Sequence, residues 1–252
     1  MLLLLKLVLT PLLVGLVSLA GRRWGSAVSG WLAGLPLTSG PVALFLTLEQ
    51  GKEFEAHAAL ATMTGLFSLY AFCLVYSWLS VYVGWLVCLL VSWGAFFVST
   101  FLLEQFTLTL LPSFLIVVAC LLITLRLLPK PLRKMATGAT SPRWERIGRM
   151  LAATTFVLLL TGAANVLGPR LSGLITPFPI FATIFAVFTH RFQGANAAAQ
   201  VLRGVTIGSF TFAVFFLILA VLIEHWSVAA TFSLALLAAM LLHSGSLWLM
   251  KR

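Results

Sequence analysis

The sequence contains no aspartate, and charged residues fill 9% of its 252 positions, where a soluble domain carries about a quarter. The few charges gather in short clusters and leave long stretches bare, which excludes an ordinary soluble domain with a polar surface. Without aspartate there is no aspartyl pair for intramembrane proteolysis, and metal-assisted phosphate chemistry is strained. A Gly-x-Ser-x-Gly elbow, a His-Glu-x-x-His helix and a Walker loop are lacking too, so an enzyme or an ATP-driven pump is not expected. Cysteine is scarce: Cys73, Cys88 and Cys120 fall in apolar runs without metal-ligand spacing and read as packing residues. Neither a metal nor another cofactor is expected.

What is present is hydrophobic sequence, 61% of the chain, with a mean hydropathy of +1.10. Apolar runs at about residues 2–20, 25–49, 56–78, 80–103, 107–128, 149–168, 171–190, 195–223 and 227–250 give nine candidate spans. Each is long enough, at ~1.5 Å per residue, to cross a bilayer. The first is read as a retained helix although Val17-Ser18-Leu19-Ala20 resembles a cleavage site, because no basic stretch precedes it and Lys6 sits inside the run. The fold class is therefore an all-α polytopic membrane protein.

Net charge is +10, with the basic residues in short loops between apolar spans. Membrane topology accounts for that excess, so lipids are expected as partners and nucleic acid is not. The largest basic cluster is Lys130, Arg133, Lys134, Arg143, Arg146 and Arg149, broken by Pro129, Pro131 and Pro142. With that loop in the cytoplasm, twelve of the sixteen Lys and Arg fall inside and five of the six glutamates outside. The expected topology is multi-pass in the inner (cytoplasmic) membrane, with the N-terminus outside and the C-terminus cytoplasmic.

Two spans carry closely spaced prolines. The second contains Gly34-Leu35-Pro36-Leu37-Thr38-Ser39-Gly40-Pro41, and the seventh contains Gly173-Leu174-Ile175-Thr176-Pro177-Phe178-Pro179. Proline removes a backbone donor and blocks the helical ladder, so both spans are expected to break. Freed backbone groups are tolerated at membrane depth only where protein or a water-filled cavity satisfies them. Broken helices in corresponding places of two halves point to a transport site.

The breaks belong to a longer internal likeness. Gln50-Gly51 is followed fourteen residues later by Gly65, and Gln193-Gly194 fourteen later by Gly208. From the leading Gly-Leu to the Gln-Gly glycine the spacing is seventeen in one copy and twenty-one in the other, read as an extra helical turn in the second. Spans one to four then match spans six to nine, and an odd helix between them turns the second copy upside down. The expected architecture is about nine transmembrane helices in two inverted four-helix repeats joined by an extra helix. Its divisions are 1–105 (first repeat), 106–128 (linking helix), 129–147 (basic cytoplasmic loop) and 148–252 (second repeat).

Gly173 to Ala182, followed by Gly194, Val201-Leu202-Arg203 and Gly208, resembles the core of the GlpM-like family of small bacterial inner-membrane proteins. The likeness covers roughly the second half. In the first half Pro36 and Pro41 are shifted, and Leu60 stands where the second has Arg203. The resemblance implies a fused, inverted pair of such units, and architecture more than activity.

Arg203, Gln200 and Asn196 share one helix face by their spacing of three and four. An arginine at membrane depth is costly and needs a partner, which makes Arg203 a candidate for holding an anion bidentately. The structural reading of the same residue is snorkelling to the headgroups. Thr38, Ser39 and Thr176 offer hydroxyls at the breaks, either to cargo or to carbonyls that the prolines orphan. Glu49, Glu53, Glu55 and His57 form an acidic turn that also reads as a solvated loop, with Glu49 the candidate coupling carboxylate. Their spacing is not diagnostic of metal. His190 and His243 show no partner in the sequence.

Together these residues predict a membrane carrier or lipid translocator. Its central site lies between two broken helices and takes an anionic small molecule or phosphorylated lipid. The alternative is a non-transporting scaffold that assists envelope lipid or polymer synthesis through partners, and an ion channel is a third class. A homo-oligomer is compatible with either of the first two.

Overall fold

The computed structural model describes residues 8, 12, 35–36, 39–106, 109–129 and 143–250. Among these the chain is helical throughout, with no strand. In chain order the helices are α1 Ser39–Gln50, α2 Lys52–Thr64, α3 Leu66–Leu79, α4 Trp85–Glu104, α5 Leu110–Leu127, α6 Arg143–Ile175, α7 Ile180–Gln193, α8 Ala195–Leu222 and α9 Val228–Met250. Gly168 leaves helical geometry just before Pro169, so α6 is two helices meeting at a kink.

Five helical runs are long and apolar enough to cross a bilayer: Lys52–Leu79, which joins α2 and α3, then Trp85–Glu104, Leu110–Leu127, Ala195–Leu222 and Val228–Gly245. Thr161–Ile175 and Ile180–Gln193, bent by 49° at their break, make a sixth when taken as one span. The protein is an all-helical, multi-pass membrane protein.

Burial sorts these helices by composition. The α2–α3 run and α8 are mostly enclosed, whereas α4, α5 and α9 are mostly exposed. The enclosed helices bury small side chains, Ala58, Ala59 and Ala61 on α2 and Ala197, Ala198 and Ala199 on α8. Lipid tails are as apolar as leucine, so helices associate in a membrane by close packing, which small residues permit. The outer helices turn Leu90, Phe101, Leu111, Leu122, Leu237 and Leu241 outward, the surface a lipid solvent accepts.

Contacts at the helix ends define two poles. At one, Lys52 Nζ donates to the Trp226 carbonyl at 2.6 Å, and Arg170 reaches the C-terminal end of α4. At the other, Trp78 Nε1 donates to the Leu127 carbonyl, Tyr76 meets His190, and the Arg191 guanidinium lies over the Trp85 ring. The two central runs are therefore antiparallel: α2 begins where α8 ends, and α3 ends near the start of α8. Between the poles Ser209 Oγ donates to Tyr70 Oη at 3.1 Å and ties them together.

The element boundaries recur at one interval. Lys52 and Ala195, which open α2 and α8, are 143 residues apart (195 − 52), and so are Leu79 and Leu222, Trp85 and Val228, and Gln50 and Gln193. Gly51 and Gly194 separate consecutive helices with φ of 95° and 89°, a backbone region that only glycine occupies without strain. A polar pair recurs too. Thr100 Oγ1 donates to Ser68 Oγ between α4 and α3, and Thr211 meets His243 between α8 and α9, each pair 32 residues apart.

α2 and α6 approach closely at Gly173. A Cβ on Gly173 would overlap the Ala58 carbonyl oxygen and lie 2.7 Å from the Ala61 Cβ. We expect Gly173→Ala to destabilise the protein by about 1–3 kcal/mol, the usual cost of overpacking, read as a lowered unfolding midpoint in detergent. Gly94→Ala on α4, where nothing lies within 4 Å, should leave the midpoint unchanged or slightly raised.

Candidate functional site

The second proline-rich segment breaks where its residues require it. Pro177 and Pro179 lie in the turn between α6 and α7, and Pro179 precedes the first residue of α7. The Thr176 and Phe178 amides turn back to the Ser172 and Ile175 carbonyls, closing the C-terminal end of α6. Thr176 Oγ1 bonds the Ser172 carbonyl at 2.6 Å as well. Phe178 is held against α4, its ring 5.3 Å from that of Phe96 and 5.6 Å from that of Phe97. Trp93 Nε1 donates to Thr183 Oγ1 and fixes the first turn of α7.

In the first segment, Leu35 and Pro36 form a bend, and Gly40 N donates to the Pro36 carbonyl at 2.7 Å. Gly34 and Thr38 lie outside the described residues. Pro41 sits in the first turn of α1, where its missing N–H leaves no bond unmade.

The two segments touch. Ser39 Oγ donates to the Thr176 carbonyl at 3.1 Å, and both residues are buried. Ser39 opens α1, and Ile180, four residues past Thr176, opens α7. The positive end of the α1 dipole therefore meets the carbonyl at the C-terminal end of α6, four residues before α7 begins. From there α1 runs to the pole of Lys52 and α7 to the pole of Arg191. Gly65 packs against the same break, since a Cβ on it would lie 2.8 Å from both the Leu174 carbonyl oxygen and Pro177 Cγ.

Arg203 is half-buried on α8, and its Nη1 donates to the Leu125 carbonyl at 2.9 Å, in the last turn of α5. A cation there completes an orphan carbonyl and opposes the helix dipole. Gln200, on the same face, is half-buried, and Asn196 is exposed at the start of α8. The structure thus places the Asn196–Gln200–Arg203 face towards one pole and the Ser39–Thr176 bond at the breaks.

Within the acidic turn the structure separates residues that sequence could not. Glu49, Glu53 and His57 are exposed, whereas Glu55 is 1% exposed. Neither Glu55 carboxyl oxygen has a hydrogen-bond partner among the described residues, nor does the buried Ser172 Oγ on the neighbouring helix. Helical spacing held the signal: Glu55, Ala58, Ala59 and Thr62 form one stripe, otherwise of small residues, along α2. No group of three metal-ligating side chains occurs among the described residues.

Arg170, which follows the Gly168 kink, also escaped the sequence reading. Its Nη2 donates to the carbonyls of Leu103 and Phe106, and its Nε lies 3.7 Å from Glu104 Oε2. The carbonyls supply most of this clamp, because ion pairs at such exposure are weak. We expect Arg170→Ala to cost about 1–3 kcal/mol by leaving those carbonyls unmet. Glu104→Gln should cost less than about 1 kcal/mol, and thermal melts of both variants and their combination check the ordering.

Compared with known protein families, with characterised proteins and with solved structures, the chain finds no match.

Proposed function

We propose that the chain is a membrane carrier or lipid translocator for an anionic small molecule or phosphorylated lipid, with its site where the two proline-broken segments meet. The observation that carries this reading is the buried Ser39–Thr176 hydrogen bond. It joins the N-terminal end of α1 to the break that precedes α7, and discontinuous helices of this kind are what carriers use to receive anionic groups.

The constant interval between helix boundaries supports two inverted repeats. It equates Pro36 with Pro179 (179 − 36 = 143), so the second copy needs no extra turn before its Gln-Gly pair. The antiparallel central runs fit the inversion, and the count of about nine spans read from the sequence belongs to this reading. The likeness to fused GlpM-like units belongs to this reading. The charge count orients the molecule in the inner membrane with the Arg191 pole cytoplasmic, so the N-terminus is outside and the C-terminus inside. Arg203, Gln200 and Asn196 then line the cytoplasmic approach, and Ser39 and Thr176 the centre.

Anionic probes test transport directly. Proteoliposomes holding the protein are assayed for uptake of radiolabelled glycerol phosphate and lactate, and for scrambling of fluorescent phosphatidylglycerol. We expect one of these to exceed protein-free liposomes. In the Ser39→Cys/Thr176→Cys double variant, oxidation should suppress the activity at least about tenfold (a barrier change of roughly 1.4 kcal/mol), and reduction should restore it. No activity with any probe, or activity indifferent to oxidation in a protein shown to be cross-linked, favours a scaffold.

A further inference from the structure

Glu55 is the one carboxyl side chain on the described helices that is wholly enclosed and without a hydrogen-bond partner on either oxygen. It lies one turn into α2, between the Lys52 pole and the breaks. Val42, Phe45 and Leu46 on α1, Ala58 one turn along α2 from Glu55, and Val157 and Ala164 on α6 pack as one apolar cluster. One turn further along α2, Ala58 meets Gly173, and beside that contact is Ser172, whose Oγ is also unpartnered.

Among the described side chains, the cations of the neighbouring helices are engaged elsewhere or lie at the far pole. On α6, Arg170 holds the end of α4 and Glu104. On α8, Arg203 holds Leu125. On α5, Arg126 stands beside Leu125 in the last turn, at the pole opposite Lys52. On α2 itself Lys52 donates to Trp226, while Glu53 and His57 are exposed, and on α1 Glu49 is exposed. The titratable groups of α3 are Tyr70, bonded to Ser209, with Cys73 and Tyr76 further along. None of these hydrogen bonds or ion pairs reaches the Glu55 carboxyl. An ionised carboxylate enclosed without a counter-charge costs several kcal/mol, and such a group takes up a proton instead.

We infer that Glu55 is a proton-binding site, its carboxyl protonated in the closed arrangement seen here and ionised when the α1–α2–α6 packing opens to water. Opening breaks the O–H bond and passes the proton to solvent, and closing reverses it. The site couples protons to the carrier described above and rests on that reading for the coupling alone. A neutral carboxyl at this end of α2 adds no negative charge to compete with an anion at the breaks, so proton and anion move together. Glu55 takes the role that the sequence suggested for Glu49.

Infrared spectra of the full-length protein in lipid nanodiscs, titrated with acid and base, test the site without any cargo. We expect the wild type to show the C=O stretch of a protonated carboxyl at neutral pH. That band should vanish in Glu55→Gln, persist in Glu49→Gln, and persist with a shifted frequency in Glu55→Asp, which guards against a misfolded amide variant. A band unchanged in a folded Glu55→Gln variant, or absent from the wild type, overturns the inference. Proton movement in proteoliposomes, followed by an entrapped pH dye as glycerol phosphate, lactate or phosphatidylglycerol is supplied, reads the coupling separately. If the band behaves as expected and no cargo moves, the carrier reading fails while the proton site stands.

Discussion

One hydrogen bond, from the Ser39 hydroxyl to the Thr176 carbonyl, joins two places where proline denies a helix its backbone partners. In lipid an unmet carbonyl is expensive, so each break needs something polar from elsewhere in the chain. Here a hydroxyl at the first break serves a carbonyl at the second. The rest of the packing follows from that meeting: Gly65 and Gly173 are bare because the chain around the second break passes directly over α2, and Phe178 projects onto Phe96 and Phe97 because the turn carries it outward.

Around this point the two central runs lie antiparallel, bound midway by Ser209 and Tyr70 and at one pole by Lys52 and Trp226. Buried hydroxyls on these helices are largely satisfied within their own helix, as with Thr47 on Ala43, Thr64 on Leu60 and Thr206 on Leu202. Such back-bonding leaves few polar atoms over, so the unmet Glu55 carboxyl stands apart from ordinary membrane packing. It is buried, and among the described side chains the cations Lys52, Arg170 and Arg203 are held at helix ends. The polar economy of the fold thus directs attention to one titratable group near the breaks.

Much of this was readable from residue order. Apolar runs separated by charge placed α4, α5, α8 and α9 within a few residues of their observed ends. Paired prolines marked the turn between α6 and α7, because proline acts on the backbone locally and irrespective of packing. What sequence could not supply was orientation about a helix axis. Glu49, Glu53 and Glu55 look alike in an acidic turn, and only the position of α6 decides which one turns inward. The partner of Arg203 is a backbone carbonyl, which leaves no trace in residue type. In the sequence the likeness is carried by the Gly-Leu dipeptides at Gly34 and Gly173, whereas the helix boundaries recur at 143 residues, which is the separation of Pro36 and Pro179.

Glu53 and Asn196 are exposed and occupy corresponding places, 143 residues apart (196 − 53), in the two halves. Their sidedness tests the inversion most directly. Cysteine is introduced at one or the other in a chain whose three native cysteines are replaced by alanine, and intact cells are treated with a membrane-impermeant maleimide. The account predicts that Glu53→Cys reacts from outside and Asn196→Cys only after the membrane is opened. Reaction of both from the same side would contradict it.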